Sequence, residues 1–153
     1  MLKIIRTNSE NEDFRELVGL LDRDLSIRDG AEHAFYAQFN KIDMIAHAVV
    51  AYQAEEAVGC GAFKKYDDRT VEIKRMYVRP ESRSAGIGAE ILKELEKWAV
   101  EDGFSAAVLE TGKKQPEAIR LYQKSDYSLI PNYGQYEGVE NSVCMKKYLT
   151  EIT

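Results

Sequence analysis

Val71-Glu72-Ile73-Lys74-Arg75-Met76-Tyr77-Val78-Arg79-Pro80-Glu81-Ser82-Arg83-Ser84-Ala85-Gly86-Ile87-Gly88-Ala89 reads as a strand that feeds through a turn into an amphipathic helix. Gly86 and Gly88 stand at the junction, where the missing Cβ lets backbone amides come close to a ligand. The first N–H groups of a helix have no intrahelical acceptor and carry the positive end of its dipole, so the junction suits an anion such as phosphate. Two nucleotide patterns fail here. The dinucleotide fingerprint wants a third glycine where Ile91 stands. The nucleoside-triphosphate loop wants G-x-x-x-x-G-K-[ST], and around Gly112-Lys113 its flanking positions hold Ala107 and Lys114.

Working outward, residues 45–53, 58–65 and 70–78 are separated by polar turns at Ala54-Glu55-Glu56 and Asp67-Asp68. They predict three strands in an antiparallel meander. After Pro80, Ile87, Ile91, Leu92, Leu95, Trp98 and Ala99 share one helical face and Glu90, Lys93, Glu94, Lys97 and Glu101 the other, with Gly103 as the stop. Residues 106–111 form a short apolar run reached through that helix, hence a buried strand parallel to its predecessor. Pro116 opens a further helix with Ala118, Ile119, Leu121 and Tyr122, and residues 127–130 and 141–149 read as the last two strands. Upstream, residues 2–6 read as a strand, and Ser9-Glu10-Asn11-Glu12 matches a capping box in which Ser9 caps a helix carrying Phe14, Leu17, Val18, Leu21 and Leu25 to a stop near Asp29-Gly30. Residues 32–40, rich in aromatics, read as a short second helix or a structured loop capping the sheet. The order β-α-α-β-β-β-α-β-α-β-β predicts a mixed sheet with helices on its faces.

With 153 residues, one domain spanning 1–153 is expected. Hydrophobic residues at 44% and charged residues at 31% exclude a disordered, collagenous or coiled-coil chain. Net charge is −5, from 21 Lys and Arg against 26 Asp and Glu, which argues against nucleic acid as the main partner. The longest uncharged run, residues 44–54, is too short to cross a bilayer, and residues 1–6 contain no apolar segment of signal-peptide length, so a cytoplasmic protein without membrane association is expected. Cys60 and Cys144 lack metal-ligand spacing and read as reduced core thiols, while His33 and His47 lack an H-E-x-x-H frame; no metal is expected.

Arg83, Gly86 and Gly88 spell R-x-x-G-x-G between a strand and a helix. Ala118-Ile119-Arg120-Leu121-Tyr122-Gln123-Lys124-Ser125-Asp126-Tyr127 follows A-x-x-L-Y-x-x-x-G-F, with Asp126 for glycine and Tyr127 for phenylalanine. In these motifs and their order, over residues 45–148, the chain resembles the GNAT superfamily of acyl-CoA-dependent N-acyltransferases. The resemblance implies an α/β (α+β) fold, a mixed and largely antiparallel sheet of about seven strands flanked by about four helices, with acetyl-CoA as co-substrate. It implies that the backbone of Met76, Tyr77 and Val78 pairs with the pantetheine arm, and that Arg83, Ser84, Ala85, Gly86, Ile87, Gly88 and Ala89 wrap the pyrophosphate. Gln115 falls where the family often has an asparagine contacting that arm, and Lys124 either approaches the phosphates or is an exposed helix lysine.

Acetyl transfer from a thioester to an amine needs a neutral amine, orientation, a polarised carbonyl and a proton for the leaving thiolate. An alkylamine is mostly protonated at pH 7, so a carboxylate base is expected. Glu72, flanked by Val71 and Ile73, is the first candidate, its alternative being a structural partner of Lys74 or Arg75; Glu110 is the second, as base or as a group binding the acceptor amine. By the resemblance, Tyr122 lies near the cofactor sulfur and protonates the thiolate; its alternative is a core tyrosine. Phe35, Tyr36, Phe39, Asn132, Tyr133 and Tyr136 are candidates for the acceptor pocket, with Tyr36 and Tyr133 foremost. Their rings would hold a cation by contacts of about 0.5–2 kcal/mol each. The Tyr-rich late loop equally suits a homodimer contact. The expected activity is therefore transfer to a small primary amine. The rivals are acetylation of a protein lysine or N-terminus, and a non-catalytic acyl-CoA-binding regulator.

Overall fold

The alternating apolar residues of the central segments build a seven-stranded sheet in the computed structural model, which describes residues 1–29 and 45–150. The elements are β1 (Leu2–Thr7), α1 (Glu12–Asp29), β2 (His47–Gln53), β3 (Glu56–Lys65), β4 (Thr70–Val78), α2 (Ile87–Glu101), β5 (Ala106–Gly112), α3 (Pro116–Lys124), β6 (Ser128–Ile130) and β7 (Ser142–Tyr148). Strand order is β1-β2-β3-β4-β5-β7-β6. The meander is antiparallel, and β5 joins β4 in parallel through the α2 crossover, as the connection length requires. The mixed, largely antiparallel seven-stranded sheet expected from the sequence is thus present. Three α-helices flank it among the described residues. The further helix expected within residues 32–40, together with Phe35, Tyr36 and Phe39, lies outside them.

Each face has its own core. Ile87, Ile91, Leu92 and Leu95 of α2 pack on Val49, Phe63, Val71 and Ile73, with Tyr122 and Tyr127 joining from the α3 side. On the opposite face Phe14, Leu17, Val18 and Leu21 of α1 cover Ala48, Val50, Cys60 and Tyr77. Cys60 and Cys144 are buried free thiols, as their spacing suggested. No helix among the described residues is long and apolar enough to cross a membrane.

The capping expectation at α1 is corrected. Asn11, not Ser9, caps the helix, its Oδ1 accepting the Phe14 N–H at 2.9 Å. Ser9 is buried and donates its backbone N–H to the Ile45 carbonyl at 2.9 Å, which ties the entry of β2 to that of α1.

Two irregularities of β4 shape the centre of the sheet. Its parallel pairing with β5 covers only Thr70↔Ala106 to Ile73↔Leu109. Beyond that point β5 continues on β7 and β4 on β3, so the sheet opens between them. Register against β3 also slips by one residue between Cys60↔Tyr77 and Ala62↔Lys74, and Arg75 sits there with φ 60°, a bulge in β4. Ile73 and Met76 therefore both face α2, and the two residues between them, Lys74 and Arg75, share the α1 face with Tyr77.

Candidate active site

The opening between β4 and β5 is the floor of a cleft with two connected parts. The larger, of about 500 Å³, is lined by Met76, Tyr77, Val78, Ser82, Arg83, Ser84, Gly86, Ile87, Gly88 and Ala89 on one side and by Gln115 and α3 on the other. Of the loop residues expected there, only Ala85 is not on the lining; it is exposed. The smaller, of about 100 Å³, is lined by Glu72, Lys74, Arg75, Glu110, Thr111, Tyr136 and the α1 residues Leu21 and Leu25. Leu21, Met76, Gln115, Ala118 and Tyr122 border both.

The larger part is suited to an extended polyanion. Arg79 donates its backbone N–H to the Val58 carbonyl at 2.8 Å, and by strand alternation the polar backbone groups of Met76 and Val78 point away from β3 toward the opening. Ser84 and Gly86 take φ of 70° and 79°, curling the chain before α2. Among the described residues no side chain caps α2, and its first internal bond is Glu90 N–H to the Gly86 carbonyl, so the amides of Ile87, Gly88 and Ala89 stand at the positive end of the dipole. The two glycines do different work. Gly86 is required for its φ, with open space around it, whereas a Cβ on Gly88 would stand 3.1 Å from Leu121 Cδ2, so Gly88 lets α2 and α3 meet. Arg83 turns back: its Nε donates to the Val78 carbonyl at 2.8 Å and its guanidinium lies over the Tyr77 ring at 5.5 Å. Lys124 also lines this part.

The smaller part gathers ionisable groups. The Glu72 side chain is 14% exposed; Tyr133 donates its hydroxyl to Glu72 Oε2 at 2.6 Å, and Lys74 Nζ lies 3.8 Å from Oε1. Burial and the neighbouring carboxylate push the Tyr133 phenol well above its ordinary pKa, so it remains a donor. Tyr133 itself is not on the lining; it holds Glu72 from behind, while Tyr136 takes the place at the cavity wall. Asn132 donates to the Val139 carbonyl at 3.0 Å and fixes the loop. Ser142 donates to Glu110 Oε2 at 2.7 Å. Burial pulls the Lys74 pKa down. Tyr122 is 6% exposed, and burial, then the charge of Glu110, raise its pKa, so it remains a neutral phenol.

Of the candidates named from the sequence, Glu72, Glu110, Gln115, Tyr122 and the loop residues other than Ala85 line one cleft. The sequence reading missed Lys74 and Arg75 as lining residues, and Leu21, Leu25 and Asp24 from α1. A signal for the first two was present: the apolar phase runs Val71, Ile73, then Met76, Val78, a slip that a bulge alone explains.

The model of the acetyltransferase (GNAT) family matches residues 11–127. An IAA acetyltransferase of Azospirillum brasilense is 36% identical over 102 residues, 66% of this chain and 67% of that protein. Among solved structures, a Klebsiella pneumoniae protein provisionally assigned as an acyl-CoA N-acyltransferase superposes with a TM-score of 0.82 at 26% identity, covering 98% of this chain and 99% of that one. The PaiA N-acetyltransferase of Thermoplasma acidophilum, solved in complex with coenzyme A, gives 0.72 at 17% identity over 97% and 99% of the two chains.

Proposed function

The chain belongs to the GNAT family of acetyltransferases, and on that premise we propose that it moves the acetyl group of acetyl-CoA directly to a primary amine of a small molecule, within a ternary complex. The observation that carries this reading is the shared border of the two cavities. Tyr122 and Met76 stand between a long cavity suited to a nucleotide-bearing thioester and a small one walled by carboxylates. The matched segment and the sheet that continues through β7 support reading residues 1–153 as one catalytic domain.

The open edge of β4 would pair with the pantetheine arm, and the loop and α2 amides would take the pyrophosphate. Acetyl-CoA supplies an activated carbonyl. Glu72, held by Tyr133, accepts a proton from the acceptor ammonium directly or through water, with Glu110 alongside as the alternative base or amine ligand. The amine nitrogen then bonds to the carbonyl carbon and the C–S bond breaks. Tyr122 gives its proton to the departing sulfur. Of the two protons the ammonium loses, one leaves through the carboxylate to solvent and the other restores Tyr122.

Release of free thiol from acetyl-CoA, measured across small primary amines and lysine-bearing and N-terminal peptides, tests this. Small amines should be the better acceptors, because a cavity of about 100 Å³ takes a compact group. Tyr122→Phe should lower kcat by roughly 100-fold or more while changing the KM for acetyl-CoA little. Unchanged turnover would reject the acid role. Coenzyme A binding without thiol release for any acceptor would point to a regulator, and failure to bind it would overturn the reading.

A further inference from the structure

Arg75 is the most deeply buried cation among the described residues. Its side chain is 2% exposed, yet among the described residues it makes one ion pair, Nη1 to Asp22 Oδ1 at 3.2 Å, with a carboxylate that is itself 51% exposed. Nε and Nη2 are buried and have no acceptor among the described residues. Those two nitrogens lie on the same edge of the guanidinium, and their parallel N–H bonds form the fork that receives both oxygens of a carboxylate. Buried donors of this kind are normally satisfied, because each one left unmade keeps its full desolvation penalty. Burial pulls the Arg75 pKa down from its ordinary value and Asp22 offsets this in part, which is the condition of a cation short of an anion.

The place of Arg75 says where that anion would come from. The bulge at φ 60° turns Arg75 onto the same face as Glu72 and Lys74, and it lines the acceptor cavity. Among the described residues that cavity carries Glu72 and Glu110 against Lys74 and Arg75, so these four charges balance. A polyamine would bring a second positive charge against Lys74 and Arg75, whereas a molecule with one amine and one carboxylate complements both halves.

We propose that the acceptor is a compact amino carboxylate such as an α-amino acid, its carboxylate bound side-on by Nε and Nη2 of Arg75 and its amine directed to Glu72 and Glu110. This rests on the acetyl-transfer reading and names the acceptor class for the same site.

The test pairs each amino acid with the amine that lacks only its carboxylate and measures kcat/KM for both by thiol release from acetyl-CoA. Two charge-assisted hydrogen bonds predict a preference for the amino acid of roughly 100-fold, seen mainly in KM. Arg75→Met should collapse that ratio toward one, and Arg75→Lys, which retains the charge without the fork, should restore part of it. The ratio in the unaltered protein decides the matter even if a variant at this buried position fails to fold. Equal or better use of the decarboxylated amines overturns the carboxylate proposal and leaves acetyl transfer standing. Absence of thiol release with every acceptor of both kinds overturns the transfer reading, and this inference falls with it.

Discussion

At the scale of single residues, the departures from the family pattern each have a local physical account. Asp126 stands where the motif has glycine, and its φ of 74° is the left-handed conformation that glycine takes without cost. It follows α3, with its N–H on the Gln123 carbonyl at 3.2 Å and the Tyr127 N–H on the Tyr122 carbonyl at 3.0 Å. Asp126→Gly should therefore stabilise the fold by about 0.5–1 kcal/mol, the relief of a Cβ clash less the added freedom of the unfolded chain. Thermal unfolding would show this as a rise in Tm of about 1–4 °C. Tyr127 replaces phenylalanine and its hydroxyl is not left idle: it donates to Glu96 Oε2 at 2.9 Å, while Lys147 holds Oε1 at 2.9 Å. Tyr133 holds one oxygen of Glu72. Tyr133→Phe removes a 2.6 Å hydrogen bond to a carboxylate and should cost about 1–3 kcal/mol in denaturant unfolding. Because Glu72 then loses its fixed orientation, kcat should fall more than the affinity for coenzyme A.

At the scale of elements, packing and turns decide how well β4 is held. β3 carries glycines so that α2 can lie close: a Cβ on Gly61 would stand 2.6 Å from Met76 Sδ and 2.9 Å from both Ile91 Cγ2 and Leu95 Cδ1. Gly61→Ala should destabilise by about 1–3 kcal/mol through overpacking. Since Met76 also lines the cleft, the same substitution should raise the KM for acetyl-CoA, a coupling that steady-state kinetics would detect. The β2–β3 hairpin turns on Ala54 and Glu55, with φ of 49° and 68°. Both central positions are left-handed, as in a type I′ turn, where Asn-Gly is preferred. The pair Ala54→Asn, Glu55→Gly should accordingly stabilise by about 1 kcal/mol, visible as a higher Tm.

At the scale of the whole molecule, the site exists because the parallel pairing of β4 and β5 stops short of the ends of both strands. β4 and β5 part after Ile73 and Leu109, and the cleft is what lies between. A ligand that fills it binds the folded chain alone, so coenzyme A at 100 times its Kd should stabilise by about 2.7 kcal/mol and raise Tm by about 5–11 °C. No shift under those conditions would count against the cleft as the cofactor site. The order of elements, the parallel crossover strand and the glycine loop were legible in the sequence, and so was the placing of Glu72, Glu110 and Tyr122 on β4, β5 and α3. Periodicity and backbone requirements are carried by neighbours a few residues apart, so the chain states them locally. Three other features were settled only by tertiary structure. Tyr133 reaches Glu72 across 61 positions, Ser142 reaches Glu110 across 32, and a one-residue slip against β3 turns Arg75 inward. Each depends on strand register between distant segments, and register follows from the packing of both faces at once, which no single stretch of sequence encodes.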